Sequence, residues 1–308
     1  MNKKEFRTLD EQVNILRNKG LTIADEEVVK EVLLRENYFF INGYRGMFYT
    51  KDRKFIKGTT FRELYSAFLF DRNLRNTIFK NLLVVENNIK SIISYQLSKK
   101  YGYKDSDYLD PKNFTQDIKE SRRVEDVLNK MKRQIRVNGE KHTATFHYIN
   151  KYHYIPLWIL VKVLSFGLIN ELYGILKDED KDEIASIYHL DSETLKVYLQ
   201  LLSNYRNLCA HEDLLFEHRT QTYIDDTDIH IKMNLKKDEF GEYIQGKTDV
   251  FALIIMLKKM LLKDRFNDCM LEIEKHIEKF KKNVVVIDEK VLLDKMGFPE
   301  NYMDIVEL

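Results

Sequence analysis

The stretch FRELYSAFLFDRNLRNTIFKNLLVVENNIKSIISYQLSKKYG, residues 61–102, decides the fold class. Within it Leu64, Phe68, Leu74, Ile78, Leu82, Val85, Ile89 and Ile92 recur mostly at threes and fours, the period of one buried helix face. One slip falls around Asp71. The pattern predicts a long helix from Thr60, or two helices broken near that aspartate.

Composition extends this reading to the whole chain. Three prolines and eleven glycines in 308 residues are few, which excludes a turn-rich sheet protein and favours an all-α fold. Fifty basic residues against forty-nine acidic ones leave a net charge of +1, so no global field recruits nucleic acid, and an RNA-binding surface has to be local. Two cysteines, Cys209 and Cys269, lack any paired metal-ligand spacing and fit a reducing compartment. The N-terminus MNKKEFRTLDEQ has no apolar signal core. The run IPLWILVKVLSFGLI from Ile155 is interrupted by Lys162 and falls short of a membrane span. A cytoplasmic protein without membrane contact is expected.

Other segments follow the same logic. Residues 8–19 and 25–36 predict two short helices, the second capped by Asp25. Residues 37–49, NYFFINGYRGMFY, keep no helical period and predict a packed turn or short hairpin. Further helices are predicted at about 114–137, around Trp158 to near Gly174, from Asp191 or Ser192 onward, and as one long element at 248–282. Residues 220–234 alternate loosely, the one place for a small hairpin. Three parts result: a helical and aromatic extension over 1–60, a helical core over 61–283 and a docking tail over 284–308.

Arg206-Asn207-Leu208-Cys209-Ala210-His211 ends the helix whose apolar stripe is Leu195, Tyr198, Leu202, Tyr205 and Cys209. An imidazole can move the proton of a ribose 2′-hydroxyl, and a guanidinium can hold the charge gathering at phosphorus. Five helical steps set Arg206 and His211 roughly 140° apart, so they share no narrow face. Either the helix loosens at Ala210, or a second copy faces the first. The bland alternatives are an Arg206 ion pair with Glu86 or Asp213, His211 on the helix dipole, and Asn207 as a capping residue. Cys209 fills the stripe, and His218 is a remote helper at best. The pattern alone is common: Arg136 and His142 fit a longer spacing across a Gly139-containing loop.

Residues 119–141 hold eight basic and four acidic side chains. Arg122, Arg123, Lys130, Arg133 and Arg136 form either a phosphate-binding stripe or a solvated helix face. His142, His147 and Tyr148 open an aromatic, histidine-bearing segment suited to stacking on unpaired RNA bases. The histidine spacings share no helical face, so no metal site is expected there.

Taken together, these segments resemble the Abi-like proteins of bacterial phage-abortive systems (the AbiD/AbiF group), whose core belongs to the HEPN superfamily. RNLCAH resembles the signature R-x4-6-H; LDEQVNILRNKGLTIADEE with NYFFINGY resembles the family's N-terminal block. FRELYSAFLFDRNLRNTIFKNLLVVEN resembles its phenylalanine-aspartate-arginine helix, PLWILVKVLSFGLINELY its tryptophan helix, and KMGFPENY its closing motif. The resemblance implies a HEPN-like helical bundle acting as a metal-independent endoribonuclease without cofactors. Arg206 and His211 would carry catalysis and Asn207 would orient groups nearby, in a composite site between two copies. It further implies an antiphage toxin restrained by a small structured antitoxin RNA. After the histidine this chain reads EDLLFEHR where the family places a basic or polar residue and then arginine-leucine. The rival readings are a non-catalytic RNA-binding module and a protein-interaction bundle; nucleotide transfer ranks last, for want of a phosphate-cradling glycine loop.

Overall fold

Thr8 accepts a hydrogen bond from the Glu11 backbone N–H and Glu11 accepts one from the Thr8 N–H, a capping box that starts α1 (Leu9–Asn18). The structure, a computed structural model, describes residues 5–139 and 141–308. Residues 1–4 of the N-terminal extension and Glu140 of the basic segment lie outside the described residues. Asp25 caps α2 (Glu26–Glu36) through the Val28 N–H, as its position predicts. Residues 37–49 depart from the expected turn or hairpin. They form α3 (Tyr38–Gly43) and a 3-10 turn, Tyr44–Phe48. Ile41, Tyr44, Met47 and Phe48 are buried at helical spacing, while exposed Phe39 and Phe40 mask that period in the sequence.

α4 (Phe61–Tyr101) is a single helix of 41 residues, roughly 60 Å long, opened by a Thr60–Glu63 capping box and closed at Gly102. It does not break at Asp71. The apparent slip arises because Asp71 and Arg75 occupy core positions of the stripe and are themselves buried. At the far end Ile93, not Ile92, continues the buried face.

After α4 come the single turn α5 (Asp105–Tyr108) and two 3-10 turns. α6 (Ser121–Asn138) begins later than the sequence suggests, because the Asp117 side chain caps a 3-10 turn through the Lys119 N–H. α7 is Thr143–Tyr152. The helix expected around Trp158 is split into α8 (Leu157–Leu160), a 3-10 turn and α9 (Phe166–Ile175). Ser165 restarts it by accepting the Leu168 N–H, and Trp158 is 45% exposed. α10 (Asp178–Ser186) and α11 (Ser192–Ala210) follow, with Asp191 capping α11 through the Thr194 N–H.

Residues 220–234 hold a helical turn, α12 (Asp228–Lys232), in place of the expected hairpin. A hairpin-like reversal occurs further on, where Asp238 and Ile244 N–H groups bond to the Glu242 and Lys236 carbonyls. Only isolated bridges, and no sheet, occur among the described residues. The last long helix is two: α13 (Val250–Met260) and α14 (Lys263–Asn283). A change of apolar phase separates them. Leu253, Leu257 and Met260 would continue to Asp264, whereas α14 buries Phe266, Cys269, Met270 and Ile273. α15 (Glu289–Met296) completes the chain's α-helices in a tail whose final 3-10 turn packs on α14.

α4 is the spine of this all-α fold, touching α8, α10, α11, α13 and α14. Apolar burial against it supplies cohesion, and its buried polar groups supply position. Glu63 accepts the N–H groups of Val285 and Val286. Thr77 and Asn81 bond Glu272 and Arg265 of α14. Asp71 and Glu86 face the end of α11 and the loop that follows it.

Candidate functional site

On α11 the predicted stripe of Leu195, Tyr198, Leu202, Tyr205 and Cys209 is buried. Burial pushes the Cys209 thiol up to about 12, the opposite of what a nucleophilic cysteine needs. Arg206 sits beside this stripe, half-buried, and its Nε donates to Glu86 Oε2 at 3.2 Å. The other Glu86 oxygen accepts from Lys90 at 2.7 Å. The guanidinium lies 5.7 Å from the Phe79 ring centroid. Its four terminal N–H groups meet no hydrogen-bond partner among the described residues. Glu86 therefore aims the guanidinium without consuming its fork.

α11 runs through Ala210, and His211 caps it with φ −91° and ψ 5°. The Asp213 N–H reaches the Leu208 carbonyl at 3.1 Å and the Glu212 N–H reaches that of Cys209 at 3.3 Å. This is a Schellman turn, and it puts Glu212 at φ 57° where glycine is the favoured residue. Asn207 and His211 side chains are exposed, and neither makes a side-chain hydrogen bond among the described residues. His218 is half-buried, 5.3 Å from Tyr205 in an edge-on arrangement, and burial pushes its imidazole down.

The loop after His211 is held from below. Buried Asp71 accepts the backbone N–H groups of Leu215 at 3.1 Å and Phe216 at 2.8 Å, the Tyr44 hydroxyl at 2.7 Å, and the Arg75 guanidinium. Arg75 also reaches the Asp213 carbonyl at 3.4 Å. Arg72 forms a two-bond fork with Glu36, at 2.9 and 2.6 Å, and lies 3.7 Å from Glu212. One helical turn of α4 thus ties the N-terminal extension to the residues after His211. Of all these supports only the Arg206–Glu86 ion pair was read from the sequence, as an alternative role for the arginine. Their signal is the i, i+4 pairs Asp71/Arg75 and Glu86/Lys90, polar residues in an apolar stripe.

The basic residues gather elsewhere. Arg122, Arg123, Lys130, Arg133 and Arg136 share the exposed face of α6, opposite buried Val124, Val127, Leu128 and Met131. Arg123 is paired with Glu120, and Lys130 with Asp126 and Glu171. Arg122, Arg133 and Arg136 have no ion pair among the described residues. His142 precedes α7 half-buried, with no partner for Nδ1. His147 and Tyr148 stand edge to face at 5.7 Å. Lys130 and Arg133 line a cleft with Gly167, which packs against Ser203 of α11 three residues before Arg206, whereas Arg136 shares a cleft with Asp105 and Tyr148 reaches Tyr152 beyond the C-terminal end of α4. Among the described residues no three His, Cys, Asp or Glu side chains are placed to hold a metal ion, and no helix is long and apolar enough to cross a membrane.

Residues 31–217 match the model of a family described as Abi-like protein. No curated protein and no solved structure matches the chain.

Proposed function

The chain belongs to the Abi-like protein family, a family of abortive-infection defence, and from that premise we propose that it is a HEPN-type, metal-independent endoribonuclease toxin restrained by a small structured RNA. The observation that carries this reading is the end of α11: Arg206 is aimed by Glu86 with its terminal N–H groups uncommitted, and His211 caps the same helix, exposed and uncommitted.

In the proposed reaction an imidazole of His211 takes the proton of a ribose 2′-hydroxyl. The 2′-oxygen bonds to the adjacent phosphorus as the P–O5′ bond breaks. Arg206 stabilises the charge on the non-bridging oxygens through its forked N–H groups. The leaving 5′-oxygen takes a proton from an imidazolium, giving a 2′,3′-cyclic phosphate and a 5′-hydroxyl. Asn207 orients the phosphate. The wide angle between Arg206 and His211 favours a composite cleft between two copies of the chain. Exposed Leu34, Phe39 and Phe40, on elements tied to this region through the Glu36–Arg72 fork, are the apolar surface such a dimer would cover.

The test is cleavage of single-stranded RNA by the purified protein in EDTA, with products analysed for cyclic phosphate ends. Loss of cutting in His211→Ala and in Arg206→Ala is the expected result. Equal cutting by parent and His211→Ala, or strict magnesium dependence, overturns it. A second reading, a non-catalytic RNA-binding module, is favoured by the unpaired arginines of α6 and by Arg206 serving as a seam ion pair. It predicts salt-sensitive RNA binding that survives both substitutions, with no cutting by the parent.

A further inference from the structure

At the C-terminal end of α4 the chain exposes a row of aromatic rings that the reaction above does not use. Trp158 lies 6.1 Å from Tyr103, Tyr103 5.6 Å from Tyr154, Tyr154 6.2 Å from Tyr152, and Tyr152 5.4 Å from Tyr148. Trp158, Tyr103 and Tyr152 are each more than 40% exposed. Large rings in water at such density are unusual for a face with no partner.

Local backbone geometry builds the row. Gly102, at φ 96°, ends α4 and turns Tyr103 outward. His153, at φ 62°, ends α7 in a left-handed turn that folds Tyr154 back beside Tyr152. The segment after His153 is pinned at Ile155, whose carbonyl accepts the buried Tyr108 hydroxyl at 2.7 Å and whose N–H donates to Asp105 at 3.2 Å. The rings therefore sit on a rigid base rather than on a free loop.

Cations accompany them. Lys104 Nζ stands 5.7 Å over the Tyr154 ring and Lys151 Nζ 5.3 Å over that of Tyr152. An adjoining cleft is lined by Lys132 and Arg136, neither of which has an ion pair among the described residues. Its two acids each accept a backbone N–H, Asp105 from Ile155 and Asp110 from Lys112.

Rings spaced along a rigid edge, interleaved with cations that have no carboxylate partner among the described residues, match a strand whose bases are free to stack and whose phosphates run alongside. A duplex hides its base faces and does not fit. We propose that Trp158, Tyr103, Tyr154, Tyr152 and Tyr148 form a stacking platform for unpaired bases of single-stranded RNA, with Lys104, Lys151, Lys132 and Arg136 taking its phosphates. This platform lies at the opposite end of α4 from His211. It deepens the RNA reading of the chain, yet it requires binding, not cutting.

Trp158 is the single tryptophan of the chain, so its fluorescence reports on the platform directly. Oligouridine titrated into the full-length protein is expected to quench that emission, and a hairpin RNA of equal length is expected to quench it far less. Tyr152→Ala should weaken oligouridine binding roughly five-fold or more, while Tyr152→Phe should retain it, since a base stacked on an aromatic ring is worth about 1–3 kcal/mol. Because Tyr152 is exposed, both variants should keep the parental circular dichroism. Unquenched Trp158 at saturating RNA, or equal affinity in Tyr152→Ala, overturns the proposal. So does self-association lost in Tyr152→Ala with no oligouridine binding by the parent, which would make the row a protein interface. His211→Ala separates the two readings: quenching without cutting by the parent leaves the platform standing and removes the nuclease. Cutting by the parent that needs His211, with no quenching, does the reverse.

Discussion

Arg206 Nε and Glu86 Oε2 stand 3.2 Å apart across the seam between α11 and α4, and Glu86 is shared with Lys90 at 2.7 Å. The consequence of removal is asymmetric. Glu86→Ala leaves a nearly buried lysine and a half-buried guanidinium without their carboxylate, a loss on the order of 3 kcal/mol. Arg206→Ala leaves Glu86 and Lys90 paired and costs about 1 kcal/mol or less. Urea unfolding of both variants, set beside their RNA cutting, separates structure from chemistry. A large stability loss in Arg206→Ala would make that residue a structural strut.

Asp71 accepts four donors while fully buried. Asp71→Ala strands two backbone N–H groups, a tyrosine hydroxyl and the Arg75 guanidinium, with a loss of about 3–5 kcal/mol. Hydrogen exchange should show the Leu215 and Phe216 amides losing protection before those of α13. Unchanged protection there would remove Asp71 as the anchor of the loop.

Glu212 holds φ 57°, a conformation costing a side-chain-bearing residue about 1–2 kcal/mol, against roughly 0.5–1 kcal/mol for the greater chain freedom of glycine. Its 3.7 Å contact with Arg72 is largely solvated and contributes little. Glu212→Gly is therefore expected to raise the melting temperature. A lower one would show that the Arg72 contact outweighs the backbone strain.

His230 is buried with its Nδ1 accepting the Thr227 N–H at 3.0 Å and its Nε2 at 2.9 Å from the Gly246 carbonyl, a neutral tautomer satisfied on both sides. Burial pushes its imidazole below the usual histidine range. Stability from a base depressed in this way is complete above about pH 6.5 and is lost as pH falls towards the folded value. His218 and His276 shift in the same direction. Asp249, whose carboxyl burial pushes up to about 6, works in the opposite sense, favouring the folded state on acidification. The diagnostic is thus a difference: unfolding free energy between pH 7 and 5 should fall less steeply in His230→Gln than in the parent. Parallel slopes would show that His230 does not titrate in this window.

The all-α class, the caps at Asp25 and Asp191, and the buried stripe of α11 were legible because each rests on local chemistry or on a period. Asp71 was misleading for the same reason. A carboxylate in a core position reads as a slip unless its distant partners at 215 and 216 are known. The break before Lys263 is a phase change spread over two apolar stretches, and the run of hydrophobic residues hides it. Trp158 reads as part of a buried helix and Tyr152 as one ring of an aromatic segment suited to stacking, and their joining into one row was not legible, since neither burial nor ring-to-ring spacing across Gly102 and His153 is a property of sequence order. At the candidate site the three residue types were named from the hexapeptide. The Glu86 partner of Arg206 was named among the alternatives, but the Asp71 and Arg72 supports came only with the fold, from a helix more than a hundred positions upstream.

Asp71 and Phe216 are separated by 145 positions along the chain, yet one hydrogen bond joins them. During synthesis the carboxylate leaves the ribosome with nothing to hold until the hexapeptide and the loop after it have followed. This ordering postpones assembly of the candidate site until most of the polypeptide has been made.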